Sequence, residues 1–173
     1  MTLQPVLYGE ATTLRPLGEQ DVEWVLAILA EPEVRRWWGA YDAGRAWSES
    51  LEDPELVVFG IEVESQLVGL IQYGEEPDRD YRHASIDVFL HPGWHGRGLG
   101  SDALRTLAHH LFHDHGHHRL TIDPAVANAK AIACYKRVGF REVGVMRSYE
   151  RDERGVWHDN LLMDMLAHEF GLG

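Results

Sequence analysis

The stretch His95-Gly96-Arg97-Gly98-Leu99-Gly100 decides the fold of this 173-residue chain, because three alternating glycines mark a boundary between two elements. An apolar run over residues 86–90 precedes it, and an amphipathic segment from Leu99 onward follows it. This order predicts a strand, a glycine-rich turn and a helix start. Glycines let a ligand approach the main chain, and a helix start offers unpaired N–H donors with partial positive charge. The stretch therefore predicts a phosphate-binding turn, with a plain tight turn as the alternative.

The spacing of these glycines excludes two common nucleotide-binding loops. A dinucleotide fingerprint needs Gly-x-Gly-x-x-Gly, and a nucleotide triphosphate loop needs Lys followed by Ser or Thr. Neither pattern occurs here, so a different phosphorylated ligand is expected.

The composition, 45% hydrophobic and 25% charged, is that of an ordinary globular protein. We expect one domain over residues 1–173. No run approaches 18 apolar residues, and no basic segment followed by an apolar one opens the chain, so we expect no membrane association and no signal peptide. The single cysteine, Cys134, cannot form an internal disulfide, which favours a cytoplasmic location.

The net charge of −12 bears on the choice of partner. Binding to nucleic acid requires an excess of Lys and Arg, so we expect no nucleic-acid partner. A surplus of carboxylates favours a cationic small molecule, and solubility alone is the alternative explanation.

Hydrophobic periodicity predicts an α/β fold in which a mixed sheet carries helices on its faces, an α+β arrangement rather than regular βαβ alternation. The predicted element order is β-α-α-β-β-β-α-β-α-β-β. Strands are expected over residues 12–17, 56–64, 67–74, 84–90, 119–123, 141–150 and 156–166. Helices are expected over residues 20–30, from Pro32 to Trp38, from Leu99 to near Gly116 and over 128–138, with a further helical turn within 43–51.

A second pattern lies downstream, Asn128-x-x-Ala131-x-x-x-Tyr135-x-x-x-Gly139-Phe140. Together with the stretch from Pro92 to Gly100, it resembles the GNAT superfamily of N-acetyltransferases over nearly the whole chain. The resemblance implies a GNAT-like acyltransferase fold and acetyl-CoA as cofactor. One departure is His95, where the family often has Gln or Arg.

The resemblance also implies where the cofactor binds. The main chain from Arg97 to Gly100 would hold the pyrophosphate, Leu90 would meet the acetyl or pantetheine arm where two strands splay apart, and Asn128 would contact that arm. The full cofactor-binding set implied is Phe89, Leu90, His95, Gly96, Arg97, Gly98, Leu99, Gly100, Ser101, Asn128, Ala131 and Tyr135.

Tyr135 is a candidate proton donor to the departing thiolate. A phenol pKa near 10 against a thiol pKa of about 8.5 makes this transfer uphill by roughly 2 kcal/mol, which is small beside the gain from positioning. A role as a core aromatic residue remains open.

A narrower resemblance is to the aminoglycoside 6'-N-acetyltransferases. It is carried by Glu33-Val34-Arg35-Arg36-Trp37-Trp38-Gly39, by Ser85-Ile86-Asp87-Val88-Phe89-Leu90 and by Thr121-Ile122-Asp123-Pro124. It implies Asp87 as general base, Asp123 as a ligand of substrate amines, and a substrate wall at Trp37 and Trp38. Alternation along the strand also places Asp87 opposite the aliphatic face.

Other roles for these residues stay open. Asp87 also suits a structural ion pair, and Asp123 before Pro124 suits a turn. Because the two tryptophans are adjacent, one is expected in the core and the other in the cleft. Asp159 is a further substrate-binding candidate, together with the pair Glu75-Glu76.

Six histidines between residues 109 and 118 raise the question of a metal site. His109 and His113 share a helix face, but no His-Glu-x-x-His motif is present. We expect a solvated helix end and no bound metal. Cys134 has no relay at readable spacing and is not expected to be a nucleophile.

These observations predict an acetyl-CoA-dependent aminoglycoside 6'-N-acetyltransferase, a monomer or homodimer, that transfers the acetyl group directly in a ternary complex. Two alternatives remain. One is a GNAT enzyme for another amine, such as a siderophore hydroxylamine, a polyamine or a protein N-terminus, and the other is a non-catalytic acyl-CoA-binding domain.

Overall fold

The computed structural model describes residues 4–40 and 53–171, which form an eight-stranded mixed sheet with helices on both faces. The strands are β1 Leu7–Tyr8, β2 Thr13–Pro16, β3 Leu56–Val63, β4 Gln66–Glu75, β5 Ala84–Leu90, β6 Arg119–Ile122, β7 Arg141–Arg151 and β8 Trp157–Leu166. The helices are α1 Val22–Leu29, α2 Pro32–Trp38, α3 Leu99–His113 and α4 Ala129–Val138. The strand order is β1-β2-β3-β4-β5-β6-β8-β7.

The predicted element order is confirmed, with one strand added. β1 is only two residues long and carries no alternation from which a strand could be recognised. The first helix begins at Val22 rather than Gln20, because a 3-10 turn over Glu19–Asp21 precedes it. The helical turn predicted within residues 43–51 lies outside the described residues.

Two apolar clusters fix the helices on opposite faces of the sheet. α3 packs Leu104, Leu107 and Leu111 into a cluster that includes Ile86 of β5. α1 and α2 bury a second cluster that includes Phe89 of the same strand. Since successive strand residues alternate between faces, Asp87 lies on the face of Phe89, as the sequence predicted.

The cleft arises where β5 and β6 separate. They are the parallel pair of this sheet, and they pair only at Ala84–Leu120 and Ser85–Thr121. β6 then ends at Ile122 because Pro124 has no N–H for a ladder bond, while β5 continues to Leu90. Residues 86–90 therefore have no described strand partner on the β6 side.

A bulge in β7 shapes the other side of the sheet. Between the pairs Met146–Asn160 and Glu150–His158, β7 spans two more residues than β8. Ser148 adopts a left-handed φ of 48° within the bulge, and its N–H donates to Asp159 Oδ1 at 2.8 Å. None of the helices in the described ranges has the length and apolar character that crossing a bilayer requires.

Asp102 of α3 ties the N-terminal segment to the helix, and we expect Asp102→Ala to destabilise the protein. Its carboxylate accepts bonds from the N–H groups of Glu10, Ala11 and Thr12 and from the Thr12 hydroxyl. Partial burial opposes ionisation, but these bonds hold the pKa of Asp102 below its usual value. Losing them should lower the free energy of unfolding by about 2 kcal/mol at pH 7.

Urea denaturation across pH is the measurement, with Asp80→Ala as the control at an exposed aspartate. A lowered pKa means that the stabilisation is present above the unfolded-state value of about 3.9 and is lost as the pH falls through the folded-state value. The difference between wild type and Asp102→Ala should therefore shrink below about pH 4. A difference that is constant down to pH 2 would contradict this account.

Candidate active site

A cleft of about 1260 Å³ opens where β5 and β6 diverge. This exceeds the roughly 300–1,000 Å³ of a pocket for one small ligand, so it has room for two ligands that meet. Of the residues predicted to bind cofactor or substrate, those that line it are Trp37, Trp38, Asp87, Phe89, Leu90, His95, Gly96, Gly98, Leu99, Gly100, Ser101, Asp123, Asn128, Ala131 and Tyr135.

Four predicted site residues, Arg97, Asp159, Glu75 and Glu76, are not in this lining. The guanidinium of Arg97 lies over the Trp94 ring, 4.7 Å from its centroid, and donates to the Gly93 carbonyl at 3.2 Å. The carboxylate of Asp159 holds the N–H of Ser148 in the β7 bulge. Arg97 thus stabilises the turn through its contacts with Trp94 and Gly93, and Asp159 stabilises the bulge of β7.

The glycine turn fits a phosphate group. Gly96 and Gly98 both have a φ of 75°, and a Cβ at either position would meet no atom within 4 Å. Glycine is therefore required by backbone conformation and not by space. Gly98 is the N-cap of α3 and no described side chain caps this helix, so its first N–H groups are left for a ligand.

We expect Gly98→Ala to weaken binding of coenzyme A about tenfold. Forcing an L-residue into this left-handed conformation costs roughly 1–2 kcal/mol, and relief of the strain moves the helix-start N–H groups. Gly116→Ala is the matched control, because Gly116 also has a positive φ, 67°, with open space around it, but does not line the cleft. Calorimetric titration with coenzyme A separates the two. Equal loss of affinity in both variants would argue against phosphate binding at Gly98.

Basic and acidic groups of the cleft lining come mostly from different elements. Lys130 and Arg137 belong to α4, which packs against α3, the helix that follows the glycine turn. Glu33 of α2 is an acidic residue beside this turn, 3.8 Å from His95 Nδ1. Asp87, Asp123 and Glu150 come from β5, from the end of β6 and from β7. Within the described residues, no Lys, Arg or His forms a salt bridge with these three carboxylates. The arrangement suits an anionic ligand in one half and a cationic ligand in the other.

Asp87 has the electrostatics of a base that works near neutral pH. Its side chain opens into the cleft, but the surrounding protein limits its hydration, and this is the main cause that raises the pKa of Asp87. The nearby charge of Asp123, and to a smaller extent that of Glu150, adds to the effect, while a bond from Gln72 Nε2 at 3.5 Å opposes it. Together these causes bring the pKa of Asp87 to about 6. Gln72 stands directly across from Asp87 in the β4–β5 register.

Tyr135 is almost fully buried on α4 and packs edge-on against Phe140. Burial is the main cause that raises its pKa, and Cys134, Asp87 and Asp123 add to the effect. The hydroxyl therefore stays protonated across the physiological range. Tyr135 belongs to the first apolar cluster and also lines the cleft, so its position is compatible with a core role and with a role at the site.

Asp123 is half-buried, and burial raises its pKa, as does Glu150, while a hydrogen bond from the Tyr149 hydroxyl opposes this. The Asp123 carbonyl accepts a bond from Asn160 Nδ2 at 2.9 Å. Sequence reasoning missed Tyr149, Glu150, Asn160 and Gln72. Only Gln72 had a usable signal, since it lies on the predicted strand 67–74, which directly precedes the strand of Asp87, and consecutive strands commonly pair.

Both tryptophans line the cleft, and Trp38 also packs against the second apolar cluster, so the expected division into one core and one cleft tryptophan holds only in part. Each is half-buried. Trp38 also meets Phe89 edge-on, with ring centroids 4.8 Å apart, and Arg36 lies 4.6 Å from the Trp37 ring centroid. Both tryptophans lie in the last turn of α2, which ends at Trp38.

The histidine segment differs in part from the predicted solvated helix end. His109 and His113 stack on an exposed face, but His110 and His117 are buried. Glu75 Oε1 lies 3.1 Å from His115 Nδ1 and 2.6 Å from His117 Nε2, so these three groups converge and hydrogen bonds join them. The carboxylate of Glu75 is therefore bonded to these histidines, and Glu75 is not among the residues that line the cleft.

Comparison with known proteins agrees with the geometry. The family model for the acetyltransferase (GNAT) domain matches residues 12–141. The chain is 25% identical over 158 residues to the aminoglycoside N(6')-acetyltransferase type 1 of Klebsiella pneumoniae, covering 80% of this chain and 78% of that protein. It is 27% identical over 175 residues to the putative ribosomal N-acetyltransferase YdaF of Bacillus subtilis, covering 94% of each.

The fold is also that of solved acetyltransferase structures. The spermidine N-acetyltransferase of Vibrio cholerae, in complex with CoA and spermine, is similar with a TM-score of 0.78 at 20% identity, covering 92% of this chain and 97% of that one. The named acceptors of these three proteins differ in chemistry. The acceptor of this chain must therefore be argued from its own cleft.

Proposed function

Because the chain belongs to the GNAT acetyltransferase family, whose members use acetyl-CoA, we propose that it acetylates the 6'-amine of aminoglycosides. The observation that carries this proposal is the acidic part of the cleft, where Asp87, Asp123 and Glu150 line the same opening as Trp37 and Trp38. Unpaired carboxylates attract a polycationic acceptor. Indole faces stack on sugar rings and meet ammonium groups.

The donor half of the cleft is suited to hold the cofactor. The N–H groups at the start of α3 would bind the pyrophosphate, and Lys130 and Arg137 would attract further phosphate charge. The edge of β5 over residues 86–90 has no described strand partner on the β6 side, so it offers main-chain groups to the amides of the pantetheine arm. The Leu90 carbonyl is already 3.0 Å from His95 Nε2. Acetyl-CoA supplies an acetyl thioester whose carbonyl carbon is open to attack by a neutral amine.

Asp87 would generate that neutral amine. An alkyl amine with a pKa near 10 is almost entirely protonated at pH 7, and removing its proton costs roughly 4 kcal/mol. The Asp87 carboxylate both attracts the ammonium and accepts its proton, directly or through water. Its pKa of about 6 makes it a stronger base than an ordinary aspartate.

Tyr135 would act at the leaving group. Its raised pKa makes complete proton transfer to the thiolate more costly than a free phenol would require. The raised pKa also keeps the O–H intact, so its main contribution is a hydrogen bond to the developing charge on sulfur. Asp123, held by Tyr149 and through its carbonyl by Asn160, would anchor a substrate amine beside Asp87.

Thiol release from acetyl-CoA tests the proposal, with kanamycin, tobramycin and spermidine as acceptors. We expect turnover with the 6'-amino aminoglycosides, and mass spectrometry should locate the acetyl group on the 6'-nitrogen. No turnover with any 6'-amino aminoglycoside would overturn the substrate assignment.

A polyamine is the second candidate acceptor. The same three carboxylates favour it, because they form charge-assisted hydrogen bonds with ammonium groups whether or not a sugar is present. Turnover with spermidine in the absence of turnover with aminoglycosides would establish this alternative. A protein N-terminus is less well matched by a cleft with this density of negative charge.

A further inference from the structure

Three side chains of metal-ligating type converge at the end of the sheet opposite the glycine turn. Glu75 is the last residue of β4 and pairs with Ala84 at the start of β5, whereas the glycine turn follows Leu90 at its end. His115 and His117 lie in the connection between α3 and β6. The three ligand atoms all lie within 4.8 Å of one another. None of these three residues lines the cleft, so the cluster is separate from the acetyl-transfer site.

The connection that carries the two histidines is held in place by hydrogen bonds of its main chain. The guanidinium of Arg82 donates to the carbonyl of His115 at 2.7 Å and to that of Gly116 at 3.0 Å. The N–H of His117 donates to the Leu111 carbonyl at 3.0 Å. Gly116 lies between the histidines with a φ of 67°, which permits a tight turn there. A ligand set that is already ordered loses little conformational entropy when it binds an ion.

The exposure of the three side chains leaves a path for an ion from solvent. The side chains of Glu75 and His115 are 41% and 31% exposed, and that of His117 is fully buried beneath them. The Nδ1 atom of His117 has no hydrogen-bond partner among the described residues. No bond at Nδ1 therefore fixes the tautomer, and the proton can leave Nε2, the atom that faces Glu75. A neutral imidazole with a bare nitrogen is the form that binds a metal.

We propose that Glu75, His115 and His117 bind a divalent transition metal, for which zinc is the best chemical match. Two imidazole nitrogens and one carboxylate oxygen are a set that zinc uses, with water as the fourth ligand. Zinc bonds of 2.0–2.1 Å place tetrahedral ligand atoms about 3.3 Å apart. The separations of 3.1 and 2.6 Å from Glu75 Oε1 therefore have to widen by less than about 1 Å. The metal replaces the protons of these hydrogen bonds, which pass to solvent.

The proposed metal links β4 to the connection between α3 and β6, so it stabilises the fold and takes no part in acetyl transfer. The histidine segment alone gave no sign of this site, because Glu75 is 40 residues from His115 in the chain. The sequence-based expectation of no bound metal rested on motifs with all ligands close together. Here the sheet supplies the third ligand.

Titration of zinc chloride into the tag-free protein, against a competing chromogenic chelator, measures stoichiometry and affinity. We expect one zinc ion per chain and no comparable binding of magnesium, which prefers a shell of oxygen ligands. Cobalt(II) in place of zinc should show the visible absorption of a tetrahedral site with nitrogen and oxygen ligands. A wild-type chain that binds no zinc, or binds magnesium equally well, would overturn the proposal.

Two variants and a matched control assign the ligands. Glu75→Gln keeps the side-chain size and an oxygen that accepts a bond from histidine, but it removes the anionic ligand. We expect it to weaken zinc binding on the order of 100-fold. His115→Ala should cause a similar loss and leaves the bond between Glu75 and His117 in place, so the fold should be retained. Glu76→Gln makes the same charge change one residue away and should bind zinc normally. Unchanged affinity in either ligand variant would overturn the assignment.

The exposed pair His109 and His113 is the rival zinc site, since the two rings stack one helical turn apart. A double variant, His109→Ala with His113→Ala, should keep the wild-type affinity. Loss of zinc binding in this variant, with binding retained in Glu75→Gln, would overturn the proposal. At one hundred times its Kd, zinc should raise the melting temperature of the wild type by about 5–10 °C, and that of Glu75→Gln much less. These measurements need no acceptor, so their outcome is independent of the proposed function.

Discussion

Asp87→Asn is expected to lower kcat/KM for the acceptor amine on the order of 10²–10³-fold, the range for loss of a positioned general base. Asparagine keeps the shape of the aspartate side chain and can still accept the bond from Gln72 Nε2. It carries no charge to attract the ammonium group, and it cannot take a proton from it. In the wild type, kcat/KM should fall as the pH drops below about 6, because Asp87 becomes protonated there. The variant should lack this acid limb.

Initial rates of thiol release between pH 5 and pH 9 are the measurement. Asp80→Asn, at an exposed position outside the cleft lining, should keep both the rate and the acid limb. Affinity for coenzyme A in Asp87→Asn should be unchanged, since Asp87 belongs to the acceptor half. An Asp87→Asn variant with wild-type rates and the same pH profile would exclude Asp87 as the base.

Tyr135→Phe is expected to lower kcat about 100-fold, while the KM values for acetyl-CoA and acceptor change little. The substitution removes one hydroxyl from a ring that is otherwise held by packing, so the fold should be retained. The loss falls on kcat because the hydrogen bond strengthens only as charge develops on sulfur.

The measurement is steady-state kinetics of the Tyr135→Phe variant, with Tyr73→Phe as the control. Tyr73 is also a buried core tyrosine, but it is not in the cleft lining, so its substitution should not change kcat. A non-catalytic acyl-CoA-binding domain would show binding without turnover in the wild type. In that case Tyr135→Phe would leave every measured property unchanged.

The conformation of the glycine turn and the cap at Asn128 were predictable because their signals are local. The glycines fix a turn conformation that few other residues allow, and Asn128 caps α4 with a bond from the Ala131 N–H, as its position before an apolar helix indicated. The sequence also predicted the face on which Asp87 lies, from the alternation around it, and the end of β6, from Pro124. The fold followed from the same periodicities.

The acceptor half was only partly predictable because it depends on long-range register. Glu150 and Tyr149 reach the cleft through a β7 bulge, and nothing in the local sequence predicts two extra residues there. The buried position of Asn160 follows from the pairing of β8 with β6 on one side and with β7 on the other. Asp159, one residue before Asn160, was the acidic candidate in the sequence, but its carboxylate accepts the bond from Ser148 in the bulge.

The short parallel contact between β5 and β6 has a consequence for thermodynamic linkage. Two residue pairs join strands β1–β5 of the sheet to strands β6–β8. Apolar side chains from both parts also pack against α3, and this packing holds the two parts together. A ligand that fills the gap contacts both parts and binds the native state alone. At a free concentration one hundred times its Kd, it would add about 2.7 kcal/mol to the free energy of unfolding. We therefore expect the melting temperature to rise with cofactor concentration.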